Sequence, residues 1–185
     1  MTPPRKPTRE ELAAATGSTM PDLIAPKLRV LFCGINPSLY SVVVGVHFAR
    51  PGNRFWPTLH AAGITPRLLK PSEQEELLTL GYGITNVVDR ATATADLLDD
   101  AELTEGAKSL EAKVRRYRPR ILAVLGVSAY RTAFGRPKAQ TGLQEGSIGS
   151  TRLWVLPNPS GLNAHYQLAD LARLFGELRQ AVDTR

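Results

Sequence analysis

The sequence predicts an α/β protein whose central, mostly parallel sheet is covered by helices on both faces. Three observations lead there. Short apolar runs (LRVLFC, GITNVV, RILAVLG, TRLWVL) alternate with segments of helical periodicity. One of them, RILAVLG, is apolar almost without interruption, as a central parallel strand buried on both faces must be. The chain has 185 residues, 43% of them hydrophobic and 22% charged, which suits one domain around one sheet.

The elements follow in chain order. Residues 1–22 read as an N-terminal appendage, and residues 23–185 as the domain. TPPRKP is rich in proline and charge and is expected to be mobile. Thr8 and Glu11 have capping-box spacing, so a short helix should end before Gly17. Leu28–Cys33 is the first strand, and a long loop runs from Asn36 to Gly52. Asn53–Gly63 is a helix with Phe55, Trp56 and Leu59 on one face, and Asn53 as a candidate cap. Ser72 and Glu75 form a second capping-box pattern, opening a helix that ends at Gly81. Gly83–Val88 is a strand, ATATADLLDD a loop and Leu103–Tyr117 an amphipathic helix stopped by Pro119. Arg120–Gly126 is the central strand, followed by a short helix from Ser128. Thr151–Leu156 is the last strand. The final helix spans His165–Val182, with Leu168, Leu171, Leu174, Phe175 and Leu178 facing inward.

Composition narrows the function. The net charge of +6 favours a polyanionic partner such as nucleic acid. Only 6% of residues are aromatic, which argues against a stacking platform of the RNA-binding kind. No apolar run is long enough for a membrane span, and the N-terminus lacks the apolar core of a signal peptide. The single cysteine, Cys33, excludes an internal disulfide and any multi-cysteine metal site, and a buried core role is expected for it. A cytoplasmic, nucleoid-associated location fits.

In a parallel α/β sheet the site lies at the carboxyl ends of the strands. Three loops emerge there: Gly34–Ser38, Asn86–Arg90 and Pro157–Gly161. Each contains an asparagine. There is no GxGxxG, GxxxxGK[ST] or GxSxG, and no Cys/His cluster with metal-ligand spacing. Neither metal nor cofactor is expected. A side-chain amide carries a donor and an acceptor, matching the edge of a pyrimidine. A reaction through an oxocarbenium ion needs little more than a positioned water and a stabilised leaving anion.

GINPSLYS, HFARPGNRFW, TNVVDR and WVLPNPSGL, in that order, resemble the mismatch-specific uracil-DNA glycosylases, the family that includes thymine-DNA glycosylase. The resemblance runs from Pro21 to the last helix. It implies a three-layer α/β/α sandwich that flips a damaged pyrimidine out of duplex DNA. It implies that Asn36 positions the hydrolytic water; the plain alternative is an Asn-Pro turn. Phe48 matches the aromatic that stacks on the extruded base, against a loop residue tucked into the core. Backbone around Ile35 and Phe48 would grip the base edge. Asn86 matches a base-contacting position that is asparagine in thymine-DNA glycosylases and lysine in some bacterial relatives. Ser41 would line the space for a 5-substituent, or be a plain loop serine.

The loop from Asn158 to Ala164, with Ser160 in it, resembles the wedge. Leu162 would fill the gap in the base stack, and Gly161 and Asn163 would face the widowed partner. Bacterial relatives often carry arginine two residues after this leucine; here Ala164 stands there, followed by His165 as a substitute phosphate or groove contact or a solvated first-turn histidine. Asp89 is the acid nearest a strand mouth. It is either a second catalytic group or a partner for Arg90 or a cap. Arg50, Arg54 and Lys138 are expected on phosphates. The expected protein is a monomeric, monofunctional glycosylase acting on double-stranded DNA with G·U or related mismatches. The alternatives are an N-glycosidase of free nucleosides or nucleotides and a non-catalytic DNA-binding module.

Overall fold

The computed structural model describes residues 5–184, so the mobility expected of TPPRKP begins on residues outside this range. Five strands form one sheet: β1 (Val30–Gly34), β2 (Tyr82–Asn86), β3 (Ile121–Leu125), β4 (Gly142–Ile148) and β5 (Thr151–Leu156). Their spatial order is β2-β1-β3-β5-β4. All pairings are parallel except β4 with β5. Helices α1 (Arg9–Ala14), α2 (Leu39–Val44), α3 (Phe55–Ala61), α4 (Glu76–Thr79), α5 (Asp100–Tyr117), α6 (Val127–Ala133) and α7 (Leu168–Asp183) complete the three-layer sandwich.

The period of two along each strand splits the core into two. Val30 and Phe32 of β1 join Ile84, Ile121, Ala123 and Leu156 on the face covered by α3 and α7, which supply Phe55, Leu59, Phe175 and Leu178. Leu31 and Cys33 join Leu122, Val124 and Val155 on the other face, under Leu110 and Val114 of α5 and Tyr130 of α6. Burial pushes the Cys33 thiol far up, so it stays protonated and inert.

Four differences from the sequence reading have physical causes. The Asn36–Gly52 segment contains α2. Its LYSVVV sequence is rich in β-branched residues, yet Ser38 caps it at Ser41 N–H and Gly45 ends it in the left-handed conformation. The edge strand β4 (GLQEGSI) is mostly exposed and breaks register between Leu143 and Ser147, so no alternation marks it. The Ser72–Glu75 box does not form; Glu73 instead accepts from Lys70 N–H at a 3-10 turn. Finally, α5 starts at Asp100, because Asp99 and Glu102 make a reciprocal capping box.

Residues 17–23 are bonded to the domain. Gly17 N–H reaches Ala91 O, Ala91 N–H reaches Ser18 O, and Leu23 bridges antiparallel to Ile84. Asp22 pairs with Lys113 of α5 and accepts from Thr85.

Candidate active site

The parallel register aligns Gly34, the last residue of β1, with Asn86, the last of β2. A cavity of about 270 Å³ opens above this edge. Ile35, Asn36, Ser41, Phe48 and Asn86 line it, and Asn158, Ser160 and Leu162 come to it from the loop after β5. Gly161, Asn163 and His165 belong to the same loop without lining the cavity.

Asn36 is held by its nitrogen. Nδ2 donates to Arg90 O at 3.0 Å and to Thr92 Oγ1 at 2.7 Å. A carbonyl can only accept, so the Arg90 contact determines which end of the amide is nitrogen. Oδ1 has no protein partner among the described residues and remains an acceptor for a ligand or water. Thr92 Oγ1 donates its hydrogen bond to Thr94 O at 2.7 Å, which leaves its lone pair for Asn36. The Arg90 backbone is anchored in turn, because its guanidinium is paired with Glu102 and bonded to Leu97 O. The Arg90 hydrogen bond, with Asp99 N–H assisting, lowers the Glu102 carboxyl to about 2, so this anchor stays charged. Thr92→Val keeps the volume and removes the acceptor. It should lower the turnover of a reaction that depends on this amide roughly tenfold with little change in KM, read by steady-state kinetics.

Phe48 shows how the fold builds the opposite wall. Its backbone is left-handed (φ 53), a strained conformation for an aromatic residue. Bonds on both sides hold it there. Trp56 Nε1 donates to His47 O, Gln74 Oε1 accepts from His47 N–H, and Ser41 Oγ accepts from Ala49 N–H. The Phe48 ring stacks on Phe55 with centroids 4.1 Å apart, so one face rests on the core while the residue lines the cavity. Ser41 is buried and also receives a bond from Ser38 Oγ, so its hydroxyl serves to fasten the Phe48 loop.

Asn86 is 7% exposed and ends with its Oδ1 beside Gly34. No protein hydrogen bond engages its amide among the described residues, so both ends are free for a ligand edge. The Ile35 carbonyl, by contrast, accepts from Val88 N–H, and its side chain lies against Gly126.

Asp89 is not brought into the cavity. It is exposed, and Arg90 turns to Glu102 instead of to it. The acid at the cavity wall is Asp96, on the 3-10 turn Ala95–Leu97. Arg50 lines the cavity; Lys138 does not. Arg54, expected on phosphate, is directed inward to carbonyls of the 160–166 loop.

His47 also lines the cavity; it opens the HFARPGNRFW stretch, but the sequence assigned it no role. It is buried, with Nε2 against Pro21 O at 2.9 Å; since a carbonyl accepts, Nε2 carries the proton. Burial depresses its pKa, ahead of the raising effects of Pro21 and Asp22. The unfolded chain therefore binds a proton that the native state refuses, and the contribution of His47 to stability is present above about pH 6.5 and lost as pH falls below it. Urea midpoints between pH 7.5 and 5.5 should fall with acid, and His47→Asn should flatten that slope.

The family model described as Uracil DNA glycosylase superfamily matches residues 21–181. A solution NMR structure from Methanosarcina acetivorans, described as a "putative Uracil DNA glycosylase", is similar in fold. Its TM-score is 0.57 at 18% identity, over 87% of this chain and 97% of that one. Likeness at that identity speaks for the fold alone.

Proposed function

The chain belongs to the uracil DNA glycosylase superfamily, and from that premise we propose that it excises uracil from mismatched duplex DNA, G·U pairs foremost, and leaves an abasic site. The observation that carries this reading is the Asn36 amide, held by its nitrogen so that its oxygen is left to orient a water at a cavity walled by a core-backed aromatic ring.

The target nucleotide rotates out of the stack, at least cost when it is mispaired. Phe48 stacks on the base. The Asn86 amide pairs with its edge through one donor and one acceptor. The C1′–N1 bond breaks first, and the electron pair leaves with the base. The water held at Asn36 Oδ1 then adds to C1′ and releases its proton to solvent, because an amide cannot take it. The amide itself supplies no base, so the rate follows leaving-group quality, and uracil should be released faster than thymine. Leu162 occupies the vacated position in the duplex, and Ser160, Gly161 and Asn163 flank it. His165 and Arg50 supply groove or phosphate contacts, and affinity falls steeply with salt. Asp89 is assigned no chemical role.

The test uses end-labelled duplex containing G·U and, in parallel, free deoxyuridine, followed by alkali. Strand breaks at uracil in the duplex with intact deoxyuridine are expected. Hydrolysis of deoxyuridine would favour a nucleoside hydrolase, and binding without base release would leave a DNA-binding module. No lysine is among the cavity-lining residues to form a Schiff base, so borohydride should trap no covalent adduct.

A further inference from the structure

We propose that Arg54 is the positioning residue of the wedge: its guanidinium sets the height and direction of Leu162 above the cavity. This rests on the glycosylase reading above and concerns a residue that the reading leaves without a role.

Leu162 is 70% exposed, the most exposed large apolar side chain among the described residues. The chain around it, from Pro157 to Gln167, belongs to no helix or strand, so no ladder of backbone bonds holds it. Its internal braces are short-range: Ser160 N–H to Asn158 Oδ1, Asn163 Nδ2 to Asn158 O, and His165 N–H to Asn163 Oδ1. Such bonds shape the loop without fixing it to the domain. Arg54 supplies the attachment. One Nη donates to Ser160 O at 2.8 Å and Asn163 O at 2.9 Å, and the other donates to Tyr166 O. The Arg54 backbone N–H adds a bond to Pro159 O at 2.9 Å. The bonded carbonyls lie on both sides of Leu162 in sequence. A planar, forked cation can gather several carbonyls at once; a lysine ammonium cannot match that geometry.

Two further observations agree. No carboxylate pairs with Arg54 among the described residues, and its Nε is buried without a partner, so the side chain is committed to this loop at a desolvation cost. Gly161 lies so close to the Arg50–Arg54 segment that a Cβ there would meet Gly52 O at 2.5 Å. The wedge loop and the start of α3 are therefore seated directly on each other, with α3 itself anchored in the core through Phe55 and Trp56.

If Arg54 acts through Leu162, its loss should matter where a base must be levered out and matter little where it is already unpaired. Uracil release is measured on a G·U duplex and on the same strand with uracil in an unpaired bubble. R54M and R54K should each lose about a hundredfold on the duplex and less than about threefold on the bubble. R54M combined with L162A should be no slower on the duplex than L162A alone. A simple phosphate contact predicts the opposite: equal losses on both substrates, a salt slope lower by about one, and rescue by R54K. That result, or multiplicative losses in the double variant, overturns the proposal. Should R54M fail to fold, Gly161→Ala displaces the loop from the other side and is expected to give the same duplex-selective loss; equal losses on both substrates would count against it. Hydrogen exchange on the free proteins separates this proposal from the function it rests on. Amides 160–166 should exchange at least about tenfold faster in R54M, and unchanged exchange overturns the assignment. Wild-type protein that releases no uracil overturns the glycosylase reading instead, and the loop assignment is then decided by exchange alone.

Discussion

Asn36→Ala is expected to lower the rate of base release by roughly 10²–10⁴-fold, the range for losing a group that positions the reacting water. Affinity for uracil-containing duplex should stay within about threefold of wild type, because phosphates supply most of the binding energy. The separation arises from the way the amide is held. Both Nδ2 bonds point into the protein, to Arg90 O and Thr92 Oγ1, and only Oδ1 is left for the water. Asn36→Asp offers a sharper comparison. A carboxylate keeps an acceptor for the water but has no donor for the two protein acceptors, so it should rotate away or take up a proton. It should recover little activity at neutral pH. An Asn36→Ala enzyme with near-wild-type single-turnover rates would sink the water-holding role. Asp89→Asn in the same assay should be close to silent, since that side chain is exposed and away from the cavity lining.

Gly34→Ala should damage activity severely through a single methyl group. Gly34 has no left-handed backbone requirement; what excludes a side chain is proximity. A Cβ there would stand 2.6 Å from Asn86 Oδ1 and 3.3 Å from Phe48 Cζ. Asn86 and Phe48 are the edge reader and the stacking ring of the proposed site, so one methyl displaces both. Phe48 cannot retreat easily, because its other face is stacked on Phe55 and its backbone is already strained. The expected result is a fall in kcat/KM of about a hundredfold. Stability should drop by about 1–3 kcal/mol as the neighbours are forced apart. In a chain of this size that is roughly 3–10 °C in Tm, read by thermal melts beside base-release kinetics. A variant with full activity would mean that the two side chains can shift without loss, and would remove the case for their joint placement.

Much of the fold was legible because it obeys local rules. β1, β3 and β5 are apolar runs that only a two-sided sheet can bury, and the C-terminal ends of α5 and α7 lie close to where Pro119 and periodicity put them. The elements that escaped are those in which local signals conflict with the outcome. The valines of α2 favour strands, but the Ser38 cap, the Gly45 terminus and the packing of the Phe48 loop on Ser41 make a helix. The exposed face of β4 carries no alternation, and its pairing with β5 is decided by the hairpin that joins them.

The candidate site divides along the same line. Asn36, Phe48 and Asn86 stand beside strand ends or in an unusual aromatic loop, so sequence order and the parallel topology already direct attention to them. Thr92 could not be chosen over Thr94 from ATATAD; only the side-by-side exit of β1 and β2, which bridges Ser38 to Thr92, puts its hydroxyl 2.7 Å from Asn36. Asp89, weighed from its place after β2, is exposed and off the cavity lining, whereas Asp96, which the sequence did not single out, lines it. Arg54 was expected on a phosphate and instead binds carbonyls of the 160–166 loop, since a guanidinium bound by carbonyls leaves no signature in spacing. The sequence by itself determined the layered α/β architecture and the chemical type of its site, amides and a ring at the ends of parallel strands, because burial periodicity and strand order are local properties of the chain. The tertiary structure alone decided which hydroxyl holds the Asn36 amide, which acid meets the cavity and which cation carries the exposed loop, because those contacts join residues that are distant in sequence and act through angstrom-scale geometry.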